Sequence, residues 1–225
     1  PPRSTLFPYT TLFRSFFPTQ TVLAALHLVG AVAIFLAPMA VPAEPDGSPL
    51  AFILLLQLHN LCYMPTIGLA NTLAFRNLTN QEKQFPVIRV FGTLGWIAAG
   101  VLVSKVLKAD VTDLPMKVAA AAGLLMGLYS LSLPHTPPPA KGRAFSWRDA
   151  VGADALQLLR KPSFAVFLVA SLLICIPLSA YYAYAPVFLS ATGFKNPGFS
   201  LSYGQMSEVF FMLAMPLIFA RLGVK

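Results

Sequence analysis

The chain has 225 residues, of which 56% are hydrophobic and 11% charged, with a formal net charge of +8 and a mean hydropathy of +0.69. Soluble domains carry about 25% charged residues, so this balance excludes an ordinary soluble domain and makes lipid the dominant solvent. The positive excess does not indicate a nucleic-acid partner, because the bases are spread over loops and not interleaved with aromatics on one surface.

In chain order, residues 1–15 come first, without an initiating Met and with the triplet Thr-Leu-Phe at both 5 and 11. This segment is expected to be a non-native leader and is set apart from fold reasoning. Six apolar stretches follow, near 19–40, 50–75, 86–106, 115–133, 163–190 and 200–220. A helix rises about 1.5 Å per residue and the hydrocarbon core is roughly 30 Å thick, so about 20 residues suffice for each crossing. Lipid cannot satisfy open backbone groups, which forces these stretches into helices. The expected fold class is therefore all-α, a polytopic membrane protein with six transmembrane helices.

Loops taken alternately divide the charge unevenly. One side holds Arg3, Arg14, Arg76, Lys83, Lys141, Arg143, Arg148, Arg160, Lys161, Arg221 and Lys225, and the other only Lys105, Lys108, Lys117 and Lys195. By the positive-inside rule the first side is cytoplasmic, and both ends of the chain lie there. The longest hydrophilic segment, 134–162, opens with a proline-rich run and carries five of these bases. It reads as a cytoplasmic linker joining four helices in 16–133 to two more in 163–225, the layout of a two-half transporter. Within it, 147–159 fits a short amphipathic surface helix and plain linker equally well.

Function is sought in polar groups within the spans. Glu208 lies near the middle of the sixth span, where a carboxylate costs roughly 2.5–3.5 kcal/mol on insertion scales. It reads as a proton-coupling or substrate-binding group, against the alternative of a structural carboxyl paired with a neighbouring helix. Gln205 precedes it by three residues on the same face and offers both a donor and an acceptor. In the third span Arg89, Thr93 and Trp96 recur at i, i+4 and i+7. Guanidinium, hydroxyl and indole on one stripe suit a flat polar ligand such as a nucleobase with its ribose. Arg89 alone reads equally as a residue snorkelling to the headgroups.

The second span holds His59, Asn60, Tyr63, Pro65, Thr66, Gly68 and Asn71, too polar for a lipid-facing helix; His59 is expected to be a satisfied buried histidine. The fifth span contains Pro177, Pro186 and several hydroxyls, with Ser179 and Tyr182 as i, i+3 neighbours able to face a cavity. Cys62 and Cys175 read as packing residues, and neither they nor the scattered histidines have metal-ligand spacing. No nucleophile–base constellation or glycine-rich phosphate loop is present, so no enzyme, cofactor or metal is expected.

Several ordered segments resemble the nucleoside:proton symporter family of the major facilitator superfamily, the bacterial nucleoside permeases. They are Tyr63-Met64-Pro65-Thr66 with Gly68-Leu69 and Asn71-Thr72; Phe85-Pro86 with Ile88-Arg89, Gly92-Thr93 and Gly95; Leu133-Pro134-His135 with Pro137; and Gln205 with Ser207-Glu208, Pro216, Arg221, Gly223 and Lys225. The resemblance covers residues 20–225 and implies the major facilitator fold, with these six spans as the third to eighth of twelve. It implies secondary active import of nucleosides by proton symport across a bacterial inner membrane, with nucleoside, protons and lipid as partners; the oligomeric state is not fixed by the sequence, and a monomer is the expectation. Carried over by position, Arg89, Thr93, Gln205 and Glu208 match residues for recognition or coupling, and Trp96 aligns with an aromatic. Where the family has amides in its seventh span, this chain offers Ser179 and Tyr182, so the hydrogen-bond set around the ligand differs. The alternatives are a major facilitator carrier for a sugar or another polar metabolite, and a transport-incompetent membrane receptor or fragment; six spans are not expected to transport by themselves.

Overall fold

The computed structural model of the chain describes residues 17–44, 46–136 and 157–223. The expected leader, 1–15, and most of 134–162, including all of 147–156, lie outside these residues. Six long helices form: α1 Thr19–Leu36, α2 Leu50–Asn77, α3 Gln81–Gly100, α4 Leu114–Ser130, α5 Pro162–Ala191 and α6 Pro197–Leu222. A 3-10 turn, Ala37–Ala40, prolongs α1, and a π-helical turn, Val101–Val106, prolongs α3, so both segments stop where their apolar runs do. A short 3-10 turn, Gln157–Arg160, precedes α5. The described residues contain no strand, and the fold is all-α.

Thr19–Ala40, Leu50–Asn77, Gln84–Val106 and Pro162–Ala191 are long and apolar enough to cross a membrane. Helix α4 is a shorter apolar helix of 17 residues, and α6 has a span's length but carries Gln205, Ser207 and Glu208 in its middle. The side chains match a lipid solvent. Helix α5 buries none of its 30 residues and exposes Phe167, Ile174 and Phe188 to more than 60% each, a continuous apolar surface that water would not tolerate. Pro65, Pro86, Pro177 and Pro186 sit inside helices, and hydroxyls take up carbonyls beside two of them: Thr66 donates to the Tyr63 carbonyl at 2.6 Å and Ser179 to that of Ile176 at 2.8 Å.

The described chain forms two compact units. The first comprises residues up to Arg76 together with Met116–Ser171. Small residues let its helices approach: Gly30 of α1 lies against Cys62 and His59 of α2, and Gly123 and Gly127 of α4 lie against Ala31 and Leu28 of α1. His59 Nδ1 is 2.9 Å from the Gly30 carbonyl oxygen, so this half-buried histidine is locally satisfied, as expected. Residues after α4 fold back on the start of α1, where Gln20 bonds His135 at 2.9 Å and accepts from the Thr136 amide at 3.0 Å. Val22, Leu23 and Leu69 form the core, flanked by Leu26 and Leu133. Of the two cysteines, Cys62 packs as expected, but Cys175 lies on an exposed face of α5.

The second unit comprises Asn77–Pro115 and the residues from Leu172 onward. Its frame is the antiparallel pair α3 and α6. On α3 the seam runs through Val90, Thr93, Gly100 and, in the π turn, Ser104; on α6 it runs through Gly198 and Ser202. A side-chain carbon at Gly100 would stand 2.6 Å from Ser202 Oγ and 3.2 Å from the Gly198 carbonyl oxygen, so the absence of a side chain at this position permits the crossing.

Candidate functional site

All seven residues singled out from the sequence fall in the second unit, on α3, α5 and α6. Gly100 lies beside Ser202, and Ser104 beside Gly198. In that antiparallel register Gln205 is level with Ile97, and Glu208 with Leu94. Thr93, Trp96, Gln205 and Glu208 therefore occupy one band. Glu208 lies about 17 Å along α6 from its first residue, near the middle of a hydrocarbon core roughly 30 Å thick.

Thr93 is 7% exposed and lies in the seam itself. Trp96, on the flank of that stripe, leaves the seam and meets α5: its ring centroid is 5.9 Å from that of Tyr182, with the planes inclined at 57°. An inclined contact engages an edge and leaves a ring face open, and Trp96 is 51% exposed. Tyr182 in turn meets Tyr181 edge-on, with centroids 5.4 Å apart. The Tyr181 hydroxyl reaches across to α6, where it is 3.9 Å from where a side-chain carbon at Gly204 would stand. Glu208 follows Gly204 by one helical turn and shares that flank, so the carboxylate is carried toward the side where α5 approaches α6. The side chains of Glu208 and Arg89 make no hydrogen bond or ion pair within the described residues, and both residues are exposed.

The structure thus brings Trp96 and Tyr182 into ring contact, and the register places Glu208 and the half-buried Gln205 near their level on α6, with Thr93 buried on α3. Two residues stand apart. Arg89 is five residues below the level of Glu208, about 8 Å farther along α3 toward the basic loops. Ser179 lies on the Tyr182 side of α5, but its hydroxyl proton is already donated to the Ile176 carbonyl, leaving only lone pairs to offer. Tyr181 was not singled out from the sequence. The available signal was a tyrosine pair on a helix that contains Pro177 and Pro186, combined with a glycine one turn before Glu208.

Elsewhere, two grooves of about 350 and 400 Å³ flank α1, but their walls are almost wholly aliphatic, with residues such as Leu28, Val32, Leu55 and Leu124. Lys117, in the second, is the one charged residue among their described lining. No cluster of potential metal ligands occurs among the described residues.

Residues 9–225 match the family model described as Nucleoside H+ symporter. YegT of Escherichia coli (strain K12) is 39% identical over 216 residues, covering 93% of this chain and 49% of that protein. Nucleoside permease NupG of the same organism is 30% identical over 219 residues, covering 91% of this chain and 50% of the permease. A crystal structure of a variant of nucleoside transporter NupG superposes with a TM-score of 0.76 at 27% identity, over 96% of this chain and 56% of that one. The chain spans about half the length of the curated relatives it matches. The helices have the major facilitator arrangement of that transporter, and no comparison points to an enzyme. With a family match over almost its whole length, and apolar helices that share the fold of that transporter, this multi-pass membrane chain belongs to the nucleoside H+ symporter family.

Proposed function

We propose that the protein carrying this chain imports nucleosides together with protons, and that the cleft between α3, α5 and α6 holds part of the substrate site. The observation that supports this reading most strongly is the open face of Trp96, held against Tyr182 at the same depth as Glu208. A nucleobase is flat and polarizable, and an indole face stacks on it regardless of base identity. Gln205 and the Tyr182 hydroxyl supply donors and acceptors for base edge or ribose, and Thr93 backs the cleft. Glu208 is the proton carrier: its carboxyl can bind a proton and can also offer its oxygens to the substrate, so the two events meet at one group. Arg89 holds the substrate's end nearest the basic loops, and Ser179 accepts one hydrogen bond.

The same reading makes 134–162 the linker between two halves, with 16–133 before it and 163–225 after it. The basic loops face the cytoplasm of a bacterial inner membrane, with both ends of this chain on that side, and the carrier works as a monomer. Substrate moves by alternating access of the two halves around a midplane site. The test is uptake of labelled uridine or adenosine by the full-length protein in vesicles, with an unlabelled panel as competitor. Competition by nucleosides supports the proposal; competition by sugars alone gives the cargo to another class, and binding without counterflow makes the protein a receptor.

A further inference from the structure

The loop between α3 and α4 carries an acid that the transport site does not use. Asp110 is half-buried and spans two elements with its two oxygens: Oδ2 accepts a hydrogen bond from the Ser104 hydroxyl at 2.6 Å, and Oδ1 accepts from the Gly198 amide, in the first turn of α6, at 3.3 Å. Ser104 is fully buried and belongs to the π turn Val101–Val106, the one described departure from α-geometry in α3. The π turn widens the helix by one residue and directs Ser104 onto the seam with α6.

Around this bridge the two helices are at their closest, with Gly100, Gly198 and Ser202 in contact. Asn196, with its amide oriented to satisfy both groups, donates to the Ser104 carbonyl at 3.2 Å. Lys105 lies over the Phe199 ring, 3.7 Å from its centroid. Five interactions of different kinds thus converge within about three turns, all at the ends of α3 and α6 remote from the basic loops. A carboxylate accepting from an amide in a helix's first turn gains from the helix dipole, and its other oxygen accepts from the buried Ser104 hydroxyl, while Lys108 and Lys195 line the same pocket. Such contacts are worth most when both helices keep this spacing and are lost together when it changes.

We propose that Asp110, Ser104 and the first turn of α6 form a latch that holds the outer mouth of the carrier closed. Its release separates the outer ends of α3 and α6 and opens the cleft at Trp96 and Glu208 to the outside. Removing the carboxylate shifts the population toward the outward-open form, and fixing the two helices together arrests the cycle. The inference rests on the transport reading for its consequence, and its geometry can be tested apart from transport.

A side-chain carbon at Gly198 would stand 3.4 Å from Ser104 Cβ, close to the spacing of a disulfide. In the full-length protein with Cys175→Ala, the pair Ser104→Cys and Gly198→Cys should cross-link under mild oxidant. Nucleoside uptake should then fall at least about tenfold and return on reduction. Failure to cross-link, or undiminished uptake once cross-linked, overturns the latch. Independently of uptake, a cysteine introduced at Ser202, 1% exposed in the seam, should react slowly with a membrane-impermeant maleimide added from outside. That rate should rise at least about fivefold with Asp110→Ala or Ser104→Ala and remain low with Asp110→Asn, which keeps an acceptor. Equal labelling in all four proteins contradicts the proposal even if no transport is measured. A protein that shows the labelling difference but moves no nucleoside contradicts only the transport reading.

Discussion

Replacing Trp96 by Ala removes the open aromatic face on which the substrate assignment leans, and the structure sets the size of the effect. The indole is 51% exposed and touches Tyr182 at 57°, so two contributions are lost. The pair with Tyr182 is worth about 0.5–1.5 kcal/mol beyond area burial and acts on the unliganded protein. A stacked base contributes about 1–3 kcal/mol, which raises Kd roughly 5- to 150-fold. Trp96→Phe keeps a smaller ring face and should cost less than about tenfold. The assay is titration calorimetry of the full-length protein with uridine and with adenosine, on the parent, Trp96→Ala, Tyr182→Ala and the double variant. A coupling of about 0.5–1.5 kcal/mol between the two positions is expected, because each ring positions the other. Saturable binding by Trp96→Ala within twofold of the parent for both nucleosides would refute the stacking argument.

Further outcomes follow from the same geometry. Glu208→Gln keeps the shape and the hydrogen-bonding reach but cannot carry a proton. It should abolish gradient-driven accumulation while retaining nucleoside exchange, and equal accumulation by variant and parent would remove Glu208 from coupling. At Gly204 a first side-chain carbon meets the Tyr181 hydroxyl at an ordinary 3.9 Å, so Gly204→Ala should bind nearly normally. Gly204→Leu would push Tyr181 aside and should weaken binding more than tenfold; titration of both variants checks this. In the first unit, a carbon at Gly127 would meet Leu28 carbons at 2.8 Å, whereas Gly95 has nothing within 4 Å. Overpacking costs about 1–3 kcal/mol against about 1 kcal/mol gained in helix propensity, so Gly127→Ala should lower the Tm of the purified protein and Gly95→Ala should not. Finally, a cysteine at Ser48, between α1 and α2, should be labelled from outside the cell and one at Arg160 only after permeabilisation; the reverse pattern would invert the topology.

The helices themselves were readable because apolar length is a coarse, additive property. The runs 19–40 and 86–106 end where the 3-10 and π turns end, and a polar residue such as Glu208 stands out against a lipid background. What pairs with what was less accessible. The register of α3 on α6 depends on Gly100 meeting Ser202 and on a π turn that no periodicity announces. Arg89, Thr93 and Trp96 share a stripe, as the spacing indicates. Yet Thr93 sinks into the seam while Trp96 turns to α5, because the stripe is wider than the contact. Ser179 read as a hydroxyl able to face a cavity, but it donates to the Ile176 carbonyl of its own helix, a choice that spacing does not reveal. Asp110 was not singled out from the sequence, since the residue it joins to Ser104, Gly198, lies far away in the chain. Tyr181 was hidden for the same reason: its significance comes from a glycine on another helix.

The central claim is that nucleoside and proton move together through the cleft at Glu208. The most direct measurement is the pH change recorded when uridine or adenosine is added to weakly buffered, voltage-clamped vesicles holding the full-length protein. Nucleoside addition should alkalinise the outer medium with the parent protein and leave it unchanged with Glu208→Gln. Nucleoside uptake without any accompanying proton movement in the parent protein would contradict it.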